Sequence, residues 1–274
     1  MSPTPAPARV ALITGGTGGL GQAVVEAFLA AGASVVATYV RETEADRVRA
    51  ALGDAGGRLV LERADVTDGG AVAALVARTV ARWGSLDYLL NLVGGFSGGQ
   101  PLWAVDEAAL SRTLDLNLRS ALLCCHAALP GMVARNFGRI VNVSSRSALR
   151  PTAGSAAYAV SKAAIVSLTE ALAEDVRPYD VNVNCVLPSV IDTPANRRDL
   201  PGADVSGWVS PAQLARIMVW LTSPDAAPLN GAAIPVYARA CAPPVTSSWP
   251  GAGRTARSSA AGTLAAPRAS PAPP

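Results

Sequence analysis

Seven short apolar runs, most of them rich in Val, Leu and Ile, recur along residues 9–240. They occupy residues 10–14, 34–40, 58–66, 86–93, 139–145, 181–188 and 232–238. In most of these runs apolar residues follow one another instead of alternating with polar ones, which is typical of strands buried on both faces. Such strands belong to parallel sheets, so the runs predict a seven-stranded parallel sheet.

Longer Ala- and Leu-rich stretches separate the runs, and their length and composition are typical of helices. The predicted helices lie at residues 20–31, 43–52, 70–83, 107–135, 156–176 and 211–221. Consecutive parallel strands need crossover connections, and helices that serve as crossovers cover both faces of the sheet. The sequence therefore predicts an α/β protein with a three-layer, doubly wound Rossmann fold.

The two ends of the chain differ from the middle. Residues 1–8 and 241–274 hold 10 of the 21 prolines, and the C-terminal stretch has neither an acidic residue nor a hydrophobic period. We expect both segments to be disordered. A tail that docks a partner, or one that is an unrelated extension, remains open. Residues 9–240 are predicted to form a single domain.

The charge distribution argues against a nucleic-acid partner. The formal net charge is +3, and Arg254, Arg257 and Arg268 in the C-terminal stretch account for all of it. The balanced charge of the remaining residues makes no basic footprint. No apolar run reaches the roughly 18 residues of a membrane helix, so we expect no membrane partner.

The cysteines and the N-terminal residues indicate a compartment. Cys124, Cys125, Cys185 and Cys241 follow no metal-ligand spacing, so we assign no metal site and expect reduced thiols. The first residues lack the apolar region of a secretory signal. These features predict a cytoplasmic protein.

A glycine-rich loop joins the first predicted strand to the first predicted helix. It reads TGGTGGLG over residues 14–21. Backbone N–H groups and the positive end of the helix can hold a pyrophosphate there. At a strand–helix junction this pattern predicts a dinucleotide site. The candidate residues are Gly15, Thr17, Gly19, Leu20 and Gly21.

The end of the second predicted strand bears on the choice of dinucleotide. An acidic residue there would bind the ribose 2′-hydroxyl of NAD. Tyr39 stands at that position, no carboxylate appears before Glu42, and Arg41 is placed to accept a 2′-phosphate. Arg41 as a solvated loop charge is the alternative. We favour NADP, with NAD as the other candidate.

Ser145, Tyr158 and Lys162 form the strongest catalytic pattern. Tyr158 and Lys162 are four residues apart and share a face at the start of a predicted helix, and Ser145 ends the preceding strand. A nearby ammonium lowers the pKa of a phenol, which makes proton exchange practicable. Lys162 is also the only lysine among 23 basic residues, which points to a site that a guanidinium cannot serve.

With these motifs in place, residues 9–240 resemble the short-chain dehydrogenase/reductase family. The matching motifs are TGGTGGLG (14–21), Asp65–Val66, NLVGG (91–95), Asn117, Ser145, YAVSK (158–162) and NCVLPSVIDT (184–193). NLVGGF and LPSVIDTPANR are similar to a subset related to dihydropteridine reductases. That subset generally lacks the catalytic serine, which this chain has, so the likeness does not fix the substrate.

The resemblance implies a catalytic set. Tyr158 is then the general acid or base, and Lys162 binds the nicotinamide ribose and depresses the pKa of that tyrosine. Ser145 orients the substrate oxygen. Asn117 holds its helix and a water that relays protons to Lys162.

The resemblance also implies further cofactor contacts. Asp65 and Val66 contact the adenine, and Asn91 and Gly94 line the cleft. The segment that begins at Pro188 supplies Val190 and Thr193 to the carboxamide end. The chain departs from the family pattern at Gly18, Leu92, Val93 and Ser189, none of which is a catalytic position.

These observations predict an NAD(P)-dependent oxidoreductase that transfers hydride between a nicotinamide cofactor and a small carbonyl or alcohol substrate. One alternative is a 3-oxoacyl-[acyl-carrier-protein] reductase, which would want a basic patch beside the cleft; the candidates are Arg135, Arg139, Arg146 and Arg150. Another is a non-catalytic dinucleotide-binding scaffold. The resemblance also implies a homo-oligomer, a tetramer or dimer, formed through the long helices at 107–135 and 156–177.

Three aromatic residues and two arginines are candidates for substrate contacts. Phe96, Trp103 and Trp208 could wall an apolar or planar substrate, with ordinary packing as the alternative. Arg146 and Arg150 follow the serine and could receive an anionic group, with surface ion pairing as the alternative.

Overall fold

A computed structural model describes residues 8–239. The predictions of a disordered N-terminus over residues 1–8 and of a disordered tail over 241–274 fall, apart from residue 8, outside the described residues. So do Cys241 and residue 240, the predicted end of the domain. These predictions stay predictions.

Seven parallel strands form one sheet. They are β1 (Val10–Thr14), β2 (Ser34–Tyr39), β3 (Leu59–Arg63), β4 (Tyr88–Asn91), β5 (Gly138–Val143), β6 (Val181–Pro188) and β7 (Ala233–Val236). Their spatial order is β3-β2-β1-β4-β5-β6-β7, and every neighbouring pair is parallel. The predicted doubly wound Rossmann fold is confirmed.

Helices cover both faces of the sheet. They are α1 (Gly19–Ala30), α2 (Glu42–Leu52), α3 (Gly69–Trp83), α4 (Glu107–Leu114), α5 (Ser120–Ala134), α6 (Ala156–Asp175), α7 (Pro194–Asp199) and α8 (Pro211–Leu221). Alternate residues of a strand point to opposite faces. Ala11 and Ile13 accordingly share a buried cluster with side chains of α1 and α8. Leu12, between them, shares one with side chains of α3, α5 and α6.

The long helix predicted over residues 107–135 is interrupted. A π-helical turn over Asp115–Arg119 separates α4 from α5. Such a turn inserts one residue into the helix and often marks a functional position. Asn117 lies in it and is buried, and its amide donates to the carbonyl of Thr113 at 3.1 Å.

Helix α7 was not among the predicted helices. The segment after Thr193 is polar and has no helical apolar period. Its start nevertheless carries two helix signals, because the Thr193 hydroxyl accepts a hydrogen bond from the amide of Asn196 and Pro194 occupies the first turn. The helix is only six residues long, too short for an apolar period to mark it.

Helix α6 is the one described helix whose length and composition would let it cross a bilayer, with 20 residues and a mean hydropathy of 1.2. Its inner face carries Ser161, Lys162, Ile165 and Thr169, all buried. Polar groups on the face that contacts the sheet indicate a core helix. The expectation of no membrane partner stays a prediction.

Phe28 anchors α1 against the sheet. The side chain is fully buried, and its ring meets that of Tyr88 edge-on at 5.9 Å. We expect Phe28→Ala to lower the free energy of unfolding by about 3–5 kcal/mol, because it leaves a cavity in a filled core. Urea denaturation measures this. Trp103→Ala is the control, since Trp103 is 83% exposed. A loss below about 1 kcal/mol for Phe28→Ala would contradict this packing.

Candidate active site

A cleft opens at the carboxyl ends of β1 and β4, where the strand order reverses. Ligands of doubly wound folds bind at this point. The cleft has a volume of about 510 Å³. Thirteen of the catalytic and cofactor-binding candidates line it: Gly15, Thr17, Gly19, Leu20, Gly21, Arg41, Asp65, Val66, Gly94, Ser145, Tyr158, Lys162 and Pro188.

The glycine-rich turn sits at the floor of the cleft. Gly15 adopts a φ of +64°, and a Cβ atom on Gly21 would lie only 2.1 Å from the Gly15 carbonyl oxygen. The Gly15 amide donates to the Thr38 hydroxyl at 2.9 Å, which ties the turn to β2. No side chain caps the first turn of α1. The first amides of that helix therefore remain available to an anion.

Asp65 and Val66 form the wall beyond β3. The Asp65 carboxylate accepts hydrogen bonds from the hydroxyl of Thr67 at 2.7 Å and from its amide at 2.9 Å. These bonds hold the pKa of the Asp65 carboxyl below its ordinary value. Val66 is buried beside it. The pair offers a fixed charge and an apolar surface, which suits a heteroaromatic ring.

The mouth of the cleft near β2 contains an ion pair that the sequence did not show. Arg41 pairs with Glu44 of α2. Glu44 also accepts a hydrogen bond from the Thr17 hydroxyl at 3.3 Å and lines the cleft. Glu44 was missed because only the end of β2 was searched for a carboxylate. Its spacing of three residues from Arg41 on one helical turn is the signal that could have found it.

Ser145, Tyr158 and Lys162 meet at the other end of the cleft. Ser145 follows β5, and its hydroxyl hydrogen-bonds the Tyr158 side chain. Lys162 is buried, and its ammonium donates to the Val143 carbonyl at 2.9 Å. This bond ties α6 to β5 and brings the three side chains to one point.

Burial sets the protonation of this group. It raises the pKa of the Tyr158 phenol, and the Ser145 hydrogen bond opposes the rise. It lowers the pKa of Lys162 to about 8. The expected depression of the tyrosine pKa by Lys162 is absent in this structure. The ammonium lies 6.0 Å from the centre of the Tyr158 ring and is bonded to Val143 instead.

Asn117 stands behind the cleft and does not line it. Its amide group exchanges two hydrogen bonds with the backbone of Gly95, each of 3.0 Å. A Cβ atom on Gly94 would lie 2.7 Å from the Asn117 oxygen and 2.9 Å from the Lys162 nitrogen. The π-helical turn thus brings Asn117 close to Lys162, with the backbone of the 94–95 loop between.

Three other candidates also lie off the cleft surface. Asn91 is buried and donates to Asn142 at 2.8 Å. Thr193 caps α7, and a Cβ atom built on Gly19 would lie 2.9 Å from the Cβ atom of Thr193. Val190 accepts a backbone hydrogen bond from Val209 at 2.8 Å. Asn196 of α7, which the sequence analysis did not single out, does line the cleft.

Of the aromatic candidates, Phe96 alone lines the cleft. Its ring meets that of Tyr158 edge-on at 5.1 Å. Trp103 is exposed, and Trp208 lines a separate groove beside α8. The Arg146 guanidinium lies 5.6 Å from the centre of the Tyr237 ring and is not among the cleft residues.

The cleft fits a nicotinamide dinucleotide by its own features. Uncapped amides of α1 at the floor suit a pyrophosphate, and the close approach of Gly21 to the turn leaves no side chain in the way. The wall formed by Asp65 and Val66 and the buried Lys162 lie at opposite ends of the cleft, as an extended dinucleotide requires. The fold and this cleft define a dinucleotide-binding enzyme.

Similarity to known proteins supplies the family. The short chain dehydrogenase family matches residues 9–203, and the chain belongs to that family. It is an oxidoreductase that acts on CH–OH or C=O groups, and the family to which it belongs binds NAD(P). Because its relatives are dehydrogenases, the chain is assigned as an enzyme, and the alternative of a non-catalytic scaffold is excluded.

Individual relatives are consistent with this assignment. Cis-4-hydroxycyclohexanecarboxylate dehydrogenase of Sinomonas cyclohexanicum is 40% identical over 68% of this chain and 74% of its own length. The 3-oxoacyl-[acyl-carrier-protein] reductase FabG of Vibrio cholerae is 30% identical over 81% and 93%. The structure of ElxO with NADP bound shares the fold, with a TM-score of 0.79 at 23% identity over 84% of this chain and 98% of that one.

Burial of Lys162 predicts a pH-dependent stability. A lysine whose pKa falls from 10.5 to about 8 on folding destabilises the folded state. The cost, about 3 kcal/mol, is fully present below pH 8 and fades as the pH rises toward 10.5. We therefore compare the free energy of unfolding of Lys162→Met with that of wild type. The variant's value minus the wild-type value should be greater at pH 7 than at pH 11 by about 3 kcal/mol.

Guanidinium denaturation of both proteins at the two pH values measures this difference. Lys162→Arg is the control, because a guanidinium stays charged throughout and should show no such recovery in alkali. An equal difference between wild type and Lys162→Met at pH 7 and pH 11 would mean that the ammonium is not desolvated.

Proposed function

We propose that this protein transfers hydride between NADP and a small carbonyl or alcohol substrate, with Tyr158 as the general acid or base. The observation that carries the proposal is the single cleft that holds Ser145, Tyr158 and Lys162 at one end and the glycine-rich turn at the other. The cofactor supplies or accepts the hydride, and the protein supplies binding, orientation and a proton.

Each side chain has a role that follows from its contacts. Ser145 positions the substrate oxygen beside Tyr158, to which it is already hydrogen-bonded. Tyr158 holds a proton because burial raises its pKa, and it donates that proton when a carbonyl is reduced. Lys162 binds the ribose next to the nicotinamide. Asn117 holds the 94–95 loop, and Asp65 with Val66 bind the adenine.

The preference for NADP rests on the end of β2. Tyr39 lines the cleft at the place of an acidic residue, and its side chain hydrogen-bonds Glu42. Arg41 pairs with Glu44, but its side chain is 74% exposed, so the guanidinium can turn from that pair toward a 2′-phosphate. NAD remains the alternative cofactor, and the cytoplasm is the proposed location.

Two of the four arginines expected to form a basic patch for an acyl carrier protein lie away from the cleft. Arg139 is buried and pairs with Asp180 at 2.7 Å. Arg135 donates to the Leu86 carbonyl. Both lie at the amino edge of the sheet, opposite the cleft, because Arg139 is the second residue of β5. We therefore propose a small, free carbonyl or alcohol as the substrate, whereas similarity to FabG proteins such as that of Vibrio cholerae supports the alternative.

Replacement of Tyr158 tests the mechanism. We expect Tyr158→Phe to lower turnover at least about 100-fold, because the proton donor is gone while the shape of the cleft is kept. Oxidation of NADPH and of NADH is followed with a panel of carbonyls, quinones and quinonoid pterins. Cofactor affinity, measured by calorimetry, should stay within about twofold of wild type.

Tyr179→Phe serves as the control, because Tyr179 lies outside the cleft and beyond the end of α6. Wild-type turnover in Tyr158→Phe would refute the proposed role. Failure of wild type to bind either cofactor would refute the dinucleotide site itself.

We also propose a homo-oligomer formed through α5 and α6. A groove of about 520 Å³ between these helices is lined by Leu122, Leu129, Leu168, Leu172 and Tyr179, among others. Leu122 and Tyr179 are more than 40% exposed. A second copy of the chain would bury this apolar surface.

Light scattering at micromolar concentration should give a mass at least twice the 27.8 kDa of one chain. Leu122→Arg should lower that mass, since a charge would enter the apolar interface. Leu102→Arg, on an exposed turn away from the groove, is the control. A wild-type monomer at micromolar concentration would refute the proposal.

A further inference from the structure

The ion pair of Arg41 and Glu44 lies at the one place in the cleft where NADP and NAD would differ. Arg41 and Lys162 are the only cations among the described residues that line the cleft. Lys162 is buried at the opposite end. Arg41 is thus the side chain left to meet a 2′-phosphate, and it is already paired with a carboxylate.

Glu44 is held in place by more than the arginine. Its other oxygen accepts a hydrogen bond at 3.3 Å from Thr17, whose side chain is buried in the glycine-rich turn. The Glu44 side chain is only 17% exposed, against 74% for Arg41. The carboxylate is therefore the fixed member of the pair, and the guanidinium is the mobile one.

We propose that Glu44 competes with the 2′-phosphate of NADP for Arg41 and so limits the preference for NADP over NAD. This inference rests on the proposed cofactor site. A phosphate monoester carries about 1.5–2 negative charges at pH 7. To bind it, Arg41 must leave Glu44 or hold both anions side by side, and either arrangement has a cost. NADH carries no such group and leaves the pair intact.

Removal of the Glu44 charge tests this competition. Glu44→Gln keeps an acceptor for Thr17 and a partner for Arg41, but it no longer attracts the guanidinium as an ion. We expect the Kd for NADPH to fall about fivefold, as the loss of a partly exposed competing ion pair would give. The Kd for NADH should stay within about twofold of wild type. Calorimetric titration of the full chain measures both values without turnover.

A second variant tests whether the effect passes through Arg41. Arg41→Gln should weaken NADPH about tenfold and leave NADH unchanged, because a charge-assisted contact to phosphate is lost. In the Arg41→Gln/Glu44→Gln double variant, NADPH should bind as in Arg41→Gln alone, to within about twofold. Asp46→Asn is the matched control, since it removes one negative charge from the same helix at an exposed pair with Arg49 outside the cleft.

Three results would each overturn the proposed competition between Glu44 and the 2′-phosphate. If the Kd values for NADPH and NADH are unchanged in Glu44→Gln, the pair of Arg41 and Glu44 has only a structural role. Selective weakening of NADH would mean that Glu44 binds the ribose hydroxyls. If Glu44→Gln tightens NADPH binding equally with and without Arg41, or if Asp46→Asn also tightens it, the negative charges of α2 repel NADPH in general. Glu44 would then not compete with the 2′-phosphate for Arg41. Failure of wild type to bind either cofactor is distinct, because it would overturn the proposed cofactor site before any variant is compared.

Discussion

The reversal of strand order between β1 and β4 is the constraint on which the rest of this structure depends. A parallel sheet must be covered on both faces, so the chain winds outward from β1 in one direction and from β4 in the other. At the junction the crossover helices diverge and leave a crevice that no element fills. The glycine-rich turn follows β1 and the 94–95 loop follows β4, so both necessarily border this crevice.

The catalytic end of the cleft depends on one buried cation. Lys162 reaches the carbonyl of Val143 from α6, and the carbonyl of Lys162 in turn accepts a hydrogen bond from the Ser144 hydroxyl. These two bonds fix α6 against the end of β5. Tyr158, one turn earlier on α6, is thereby brought to Ser145, directly after β5. The desolvation that lowers the pKa of Lys162 is the cost of this arrangement.

Much of the fold was accessible from the sequence because parallel strands and glycine turns leave local marks. β6, over Val181–Pro188, was predicted to the residue, and the turn at Gly15 was assigned to a strand–helix junction. The π-helical turn was not predicted, because one extra residue hardly alters the spacing of apolar residues in an Ala/Leu-rich helix. The spacing of Glu44 from Arg41 is also a local mark, but its contact with Thr17, 27 residues away, arises only in the folded chain.

Burial and one hydrogen bond set the resting protonation of Tyr158. Burial raises the pKa of Tyr158, so the phenol keeps its proton at neutral pH. A carbonyl reduction begins from a protonated donor, whereas alcohol oxidation begins from phenolate. The Ser145 hydrogen bond lowers the pKa of Tyr158, but the Lys162 ammonium is turned toward Val143. A positive charge closer to the phenol would lower the pKa of Tyr158.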